Sequence, residues 1–334
     1  MRVIRSLLEI SLLTSILSKS YSTSSSSYMK TGVTLLCFDV DGTLIHGSSH
    51  QAEYSAHARA FGHATGKVFN NQHDYEIECP SPLLKIESAN YHGCTDGLIS
   101  LHLARAAFGV PSTEAFPKLP SVFKSMYDYF SKFDDDEVIK GIEPLPGVID
   151  TLQKLSSEKY KDRYLAGLVT GNVEGIARKK MRATGIFNTG ILSRKADDQT
   201  WDGENETTFL GGFGSDFCSG DIDDASRIYK DRGEQIMIAY RRAKTLLNDN
   251  QRIVRVVHVG DAPADVLAAR YFSEIIDDDI SVGCLAVATG KFSRKTLEDL
   301  FGNKIDGKWE PIVLEKGLSD ENFIKHCKIL DEDN

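Results

Sequence analysis

Four apolar runs punctuate the chain, at residues 33–38, 164–169, 253–259 and 282–288, and they stop at Asp39, Thr170, Gly260 and Thr289 respectively. Their apolar residues are continuous rather than alternating, which predicts strands buried on both faces of a parallel sheet. Between them lie amphipathic helical patterns at 147–155, 175–183, 234–247 and 264–272, the first opened by Pro146-Gly147. Strands alternating with helices predict an α/β fold with a three-layer, Rossmann-like parallel sheet and right-handed crossovers. The interval after residue 45 breaks the rhythm. It holds helical patterns at 51–61, 95–108 and 113–133 and no buried strand. About a hundred residues are too many for an ordinary connection between strand and helix. They predict an α-helical cap domain at 46–143, inserted into a core formed by 33–45 and 144–334. The acidic run 134–137 reads as a solvated loop near the return, and the tail from 303 predicts a strand at 311–314 and a final helix.

Residues 1–32 read differently. Arg2, Arg5, Lys19 and Lys30 face one acid, Glu9, and every residue from Ser20 to Ser27 except Tyr21 is Ser or Thr. The apolar run 7–17 is too short to span a bilayer, and Glu9 interrupts it. A basic, Ser-rich, acid-poor start predicts an organellar transit peptide (mitochondrion or plastid), with a secretory signal or an untargeted cytoplasmic arm as the competing readings. The sequon Asn205-Glu206-Thr207 matters only on the secretory route.

Composition then narrows the function. Hydrophobic residues make up 41% of the 334 and charged residues 26%, as in a soluble globular chain. The net charge of −9 argues against a nucleic-acid-binding surface, so a phosphate-bearing ligand would need local cations or a metal. Six cysteines without a CxxC pair suit a reducing compartment.

Chemistry concentrates where the runs stop. Asp39-Val40-Asp41-Gly42-Thr43-Leu44 places two carboxylates at the C-terminal edge of the first strand, where α/β folds bind ligands. Such a pair is either a tight Asp-Gly turn or a site where neighbouring carboxylates share a cation or a proton. Thr170-Gly171-Asn172 ends the second run with a hydroxyl that caps a helix or donates to a phosphoryl oxygen beside exposed helix N–H groups. Gly260-Asp261, followed by Asp265 four residues after Asp261, ends the third. Asp261 joins Asp39 at the same rim, and the two offer hard oxygen ligands of the kind Mg²⁺ takes, while Asp265 is either a helix-cap residue or a further member of the set.

In this order the motifs resemble those of the haloacid dehalogenase-like hydrolase superfamily, in its phosphoglycolate phosphatase-like branch with a helical cap, over residues 33–301. The resemblance implies that Asp39 attacks phosphorus and becomes a phosphoaspartate, while Asp41 protonates the leaving alcohol and then activates water. It implies Mg²⁺ on Asp39, the backbone carbonyl of Asp41 and Asp261, supported by Asp265, with the phosphoryl group held by Thr170, Gly171 and Asn172. The family's Lys-Pro signature is absent, and Arg232, at the start of a predicted helix, is the expected substitute, with Arg227 and Lys230 as rivals. Gly93-Cys94-Thr95-Asp96 resembles the cap loop that reaches the substrate; Thr95 or Asp96 also makes an ordinary helix N-cap. Thr289-Gly290 resembles the closing loop. The expected activity is Mg²⁺-dependent hydrolysis of a small phosphorylated metabolite, with 2-phosphoglycolate first among candidates. A sugar phosphomutase and a catalytically silent ligand-binding member are the alternatives, and the oligomeric state is left open. Cys37 reads as a small buried hydrophobe. His46, His50, His57, His63, His73 and His92 lack zinc-type spacing with cysteines and read as surface or cap-packing residues.

Overall fold

The computed structural model describes residues 30–47, 56–69, 93–192, 209–303 and 308–329. The N-terminal arm to residue 29, the start of the predicted helix at 51–61, His50, His73, His92 and the sequon at Asn205 lie outside them. In chain order the elements begin with β1 (Thr31–Phe38), β2 (Ile45–Gly47), α1 (Ala56–Phe69), α2 (Asp96–Phe108), α3 (Ser112–Ala115), α4 (Leu119–Phe130), α5 (Asp135–Val138) and β3 (Ile142–Pro144). They continue with α6 (Val148–Leu155), β4 (Tyr164–Thr170), α7 (Glu174–Ala183), β5 (Gly211–Phe213), α8 (Arg227–Thr245) and β6 (Gln251–Gly260). The last are α9 (Pro263–Ile275), β7 (Ser281–Val287), α10 (Arg294–Glu298), β8 (Trp309–Leu314) and α11 (Phe323–His326).

Six strands form one sheet in the order β5-β4-β1-β6-β7-β8, every neighbouring pair parallel. The predicted three layers follow from how β1 divides its side chains. Leu36 and Phe38 pack with Val148 and Leu152 of α6 and Ala177 and Met181 of α7. Val33, Leu35 and Cys37 pack with Ile236 and Met237 of α8 and Val266 and Ala269 of α9. Period-two alternation thus serves two apolar faces, which is why the run reads as continuous. The chain leaves β1 toward β4 on one side and later returns to β6 on the other, so the order reverses at β1, the crevice where open α/β sheets bind ligands. Asp39 stands at that point.

Between β2 and β3 the described residues are helical, as the pattern predicts, and pack around Phe61, Leu101, Val122, Met126 and Phe130 together with Val173 and Ile176 from the start of α7. Its two ends are zipped by the antiparallel pair β2–β3, Ile45 opposite Pro144. Three local expectations are corrected. The acidic run is not a loop: Asp134 accepts the Glu137 N–H at 2.7 Å and caps the short helix α5, whose acids sit at the positive end of its dipole. Helix α6 starts at Val148, with Gly147 at the cap position in a left-handed conformation (φ 77°) and Pro146 before it. The three-residue edge strand β5, too short and glycine-rich to show a period, was not foreseen.

Candidate active site

The Asp39 N–H donates to the Val259 carbonyl at 2.9 Å, which continues the β1–β6 ladder and fixes where the side chain emerges. Arg232, on α8 and only 3% exposed, donates to Asp39 Oδ1 at 2.5 Å. The same guanidinium donates to the carbonyls of Val169 at 3.1 Å and Gly93 at 3.3 Å. Asp39, Asp261 and Asp265 bring carboxylate oxygens within 4.8 Å of one another. Asp265 is held on both sides, by the Ala262 N–H at 3.1 Å and His258 Nε2 at 3.2 Å. Behind the cluster, Thr289 Oγ1 donates to the Gly42 carbonyl at 2.9 Å, and a Cβ on Gly290 would come within 1.9 Å of Asp261 Oδ2. The closing loop therefore abuts the carboxylates.

Three carboxylates face one guanidinium here, and their proton affinities record the imbalance. Burial, then the charges of Asp265 and Asp39, pushes Asp261 up to about 8. Burial also pushes Asp39 up to about 6, with Arg232 opposing it and Asp265 and Asp41 adding to it. Asp265 lies below the ordinary carboxylate range because Arg232 and His258 outweigh its burial. Surplus negative charge on clustered hard oxygens is what a small divalent cation relieves, so the donor set fits such an ion.

Asp41 faces a different set of partners. Its side chain is 50% exposed, toward the cavity. Lys180 of α7 donates to Asp41 Oδ1 and Oδ2 at 2.9 and 2.8 Å, and Asn172 Nδ2 donates to Oδ2 at 2.8 Å. Burial works against ionisation, but the Lys180 ammonium and these hydrogen bonds hold the carboxyl below its usual range. Thr170 Oγ1 accepts from Asn172 Nδ2 at 2.7 Å, which leaves its own O–H free to donate. The N–H groups opening α7, expected to face a phosphoryl group, are already occupied. Val173 N–H donates to Asp96 Oδ2 at 2.8 Å and Glu174 N–H to Ser215 Oγ at 3.1 Å.

The loop at 93–96 is hydrogen-bonded to the core, and its Gly93, Cys94 and Asp96 line the cavity beside Asp39 and Asp41. Thr95 Oγ1 accepts the Leu98 N–H at 3.3 Å, the N-cap role, and Asp96 N–H donates to the Gly171 carbonyl at 2.7 Å. Gly171 is required by this approach, because a Cβ there would lie 2.3 Å from the Cys94 carbonyl oxygen. Loop and rim enclose a cavity of about 230 Å³, bounded by Asp39, Asp41, Thr170, Arg232 and Asp261 below and by His57, Phe61, Cys94 and Ile99 above. Arg232 lines it; Arg227 instead pairs with Asp224 at 3.6 Å, and neither Arg227 nor Lys230 borders the cavity.

Two residues were missed from sequence. Lys180 lies in the basic run 178–180, which looks like a solvated helix face; the available signal was its spacing, eight residues or about two helical turns after Asn172. His57 was read as surface or packing. It borders the cavity, with Nε2 3.0 Å from Asp96 Oδ2 and Nδ1 3.2 Å from Lys180 Nζ. That reading suits His46, on Glu143 at 2.8 Å, and His63, stacked on Tyr129 at 4.6 Å between ring centres.

Several solved structures resemble this one. A candidate phosphoglycolate phosphatase from Lactobacillus delbrueckii subsp. bulgaricus is 16% identical, with a TM-score of 0.35 over 86% of this chain and 95% of its own. An archaeal beta-phosphoglucomutase from Pyrococcus sp. strain ST 04 is 13% identical, with a TM-score of 0.29 over 81% and 99% of the two chains. The L-2-haloacid dehalogenase of Xanthobacter autotrophicus with chloropropionic acid covalently bound is 11% identical, with a TM-score of 0.33 over 86% and 96%. No curated protein sequence matches the chain. The family model for haloacid dehalogenase-like hydrolases matches residues 33–272, which runs from Val33 of β1 through the first ten residues of α9 and takes in every residue named above as bounding the cavity. On that match, over more than half of its length, the chain belongs to the haloacid dehalogenase-like hydrolase family.

Proposed function

We propose that the protein is a Mg²⁺-dependent phosphatase of a small phosphomonoester, working through a phosphoaspartate on Asp39. The observation that carries this reading is that Asp39 and Asp41 open into one cavity of about 230 Å³ with different partners, one on Arg232 and the other on Lys180. A carboxylate oxygen of Asp39 attacks phosphorus, the bond from phosphorus to the ester oxygen breaks, and Asp41 gives its proton to the departing alkoxide. Asp41 then takes a proton from water as that water attacks the acyl phosphate, releasing inorganic phosphate and restoring Asp39. Splitting one displacement into two eases each. Asp41 is held below the usual carboxylate range in the free enzyme, so the proton it gives is one taken up from solvent once substrate fills the cavity.

Arg232 and the Thr170 hydroxyl neutralise and orient the phosphoryl oxygens, Gly171 keeps the loop close, and Asn172 holds Thr170, Asp41 and Lys180 in register. Asp39, Asp261 and Asp265, with the backbone carbonyl of Asp41, would hold Mg²⁺, which supplies charge neutralisation of the phosphoryl oxygens when bound. The insertion at 46–143 acts as a cap that selects the leaving group above a core of 33–45 and 144–334. By resemblance 2-phosphoglycolate is the first substrate to try. Release of inorganic phosphate from a panel of phosphomonoesters, with Mg²⁺ and with chelator, tests the reading. Release from a small ester that stops in chelator is expected; no release from any ester with Mg²⁺ present refutes it, and turnover only after priming with a sugar bisphosphate makes the protein a mutase instead. The arm at 1–32 is proposed as an organellar targeting segment. Identical cellular distribution of the tagged full chain and of a form lacking Met1 to Ser27 would count against that.

A further inference from the structure

Lys180 is a buried cation whose partners come from both parts of the chain. Its side chain is 5% exposed, and its ammonium carries three protons and faces Asp41, Asn172 Oδ1 at 2.8 Å and His57 Nδ1 at 3.2 Å. Asp41 and Asn172 belong to the core rim; His57 alone comes from the helical insertion, on α1. Its ring is fixed there by stacking on Phe61 at 5.1 Å and by the edge of Phe130 at 6.3 Å. Its other nitrogen, Nε2, lies 3.0 Å from Asp96 Oδ2, the oxygen that also accepts the Val173 N–H opening α7. Valence decides the proton positions. An ammonium only donates and a carboxylate only accepts, so Nδ1 presents its lone pair to Lys180 and Nε2–H donates to Asp96.

We infer that His57 is a positioning residue which acts through Lys180 on Asp41, so that the acid/base carboxylate is aligned only while the insertion is seated on the core. The inference rests on the phosphatase reading above. Without the imidazole, Lys180 loses its third acceptor in a nearly dry site and is no longer held in one place, and Asp41 loses the partner that fixes both its oxygens. Asp39, Arg232 and the carboxylate cluster are untouched, because none of their hydrogen bonds runs through His57. The consequence falls on proton transfer to the leaving group and not on phosphoryl binding.

Leaving-group dependence reads this directly. With Mg²⁺ present, kcat and KM are measured for the wild type, His57→Ala and His57→Asn on 2-phosphoglycolate, whose alkoxide needs a proton, and on p-nitrophenyl phosphate, whose phenolate leaves without one. His57→Ala is expected to lower kcat about 10- to 100-fold for the alkyl ester and less than about threefold for the aryl ester, with KM little changed. His57→Asn, which keeps an acceptor near Lys180, should recover part of the loss. In a Lys180→Met background, adding His57→Ala should leave the ratio of alkyl to aryl kcat unchanged. Equal losses on both esters, a raised KM with kcat intact, or a further fall in that ratio without Lys180 would overturn the inference. If His57→Ala fails to fold by circular dichroism, the ratio for His57→Asn decides. A wild type that releases no phosphate from any ester removes the phosphatase reading itself, whereas an active wild type with a uniform His57→Ala loss removes only this step.

Discussion

Asp39 and Asp41 are separated by one residue, yet they occupy two different environments. Asp39 faces the interior, buried among Arg232, Asp261 and Asp265, and is pushed up to about 6 chiefly by its burial. Asp41 faces the insertion, half-exposed, and is held below the usual range by Lys180 and Asn172 against its own desolvation. The tight turn at Gly42, φ 92°, and the bridge between Asp41 and Ile45 turn the chain from sheet to insertion within a few residues. The side chains of one half thus all come from the core, with the insertion adding only the Gly93 carbonyl on Arg232, whereas the other half takes a side chain, His57, from the insertion. Two carboxylates with opposed proton affinities can take distinct parts in one reaction.

The largest effects should come from breaking each half in turn. Asp39→Asn should abolish turnover, because a neutral amide does not attack phosphorus. Asp41→Asn should lose about 10²–10⁴ in kcat, the range for an acid/base group, while still allowing a burst of phosphoenzyme from an aryl phosphate. Comparable residual rates in the two variants, measured by single-turnover phosphate release, would mean that the halves are not distinct.

Arg232→Met is a harsher test of the core half. It leaves Asp39 and Asp265 buried without their cation, and breaking such a pair costs about 3–5 kcal/mol. Chemical denaturation should show the loss; an unchanged midpoint would show that the carboxylates simply take up protons.

The loop at 93–96 separates capping from communication. Thr95→Ala removes one helix cap and should cost about 0.5–2 kcal/mol of stability with little change in kcat/KM. Asp96→Ala removes the acceptor shared by Val173 and His57, and should cost about 1–3 kcal/mol in transition-state stabilisation for an alkyl ester. Identical kinetics for the two variants would reduce Asp96 to a second cap.

The smallest expected effect is a pH slope. Asp39 and Asp261 have ordinary values of 3.8 and folded values of about 6 and about 8, so the folded chain keeps protons that the unfolded chain has released. Their contribution to stability is therefore fully present below about 4 and is lost as pH rises through about 6 and then about 8. In chelator, Tm should fall from acid to mildly alkaline pH, and saturating Mg²⁺ should flatten the slope by replacing those protons. A chelator profile that rises over this window would contradict the burial of the cluster.

Much of this was written in local sequence. Residues 33–38, 164–169, 253–259 and 282–288 became β1, β4, β6 and β7 because buried parallel strands need continuous apolar runs, and that signal survives without any tertiary knowledge. Asp39, Asp41, Thr170, Asp261 and Asp265 were legible because each stands where such a run stops or just beyond it, and parallel strands bring those ends to one edge. Arg232 could be narrowed to a short basic stretch, but only the packing of α8 against the sheet decided which cation reaches Asp39. Lys180 and His57 could not be read this way. A lysine in a basic helical run and a histidine among many carry no local mark, and their meaning depends on where another segment lies. The contact of His57 with Lys180 spans 123 residues and joins the insertion to the core. Patterning acts over a few residues and sets elements and their edges; the pairing of charges across segments is fixed only once those elements pack and exclude water, which is why Asp41, Asn172 and Asp96 could be named from sequence while Lys180 and His57, which link them, could not.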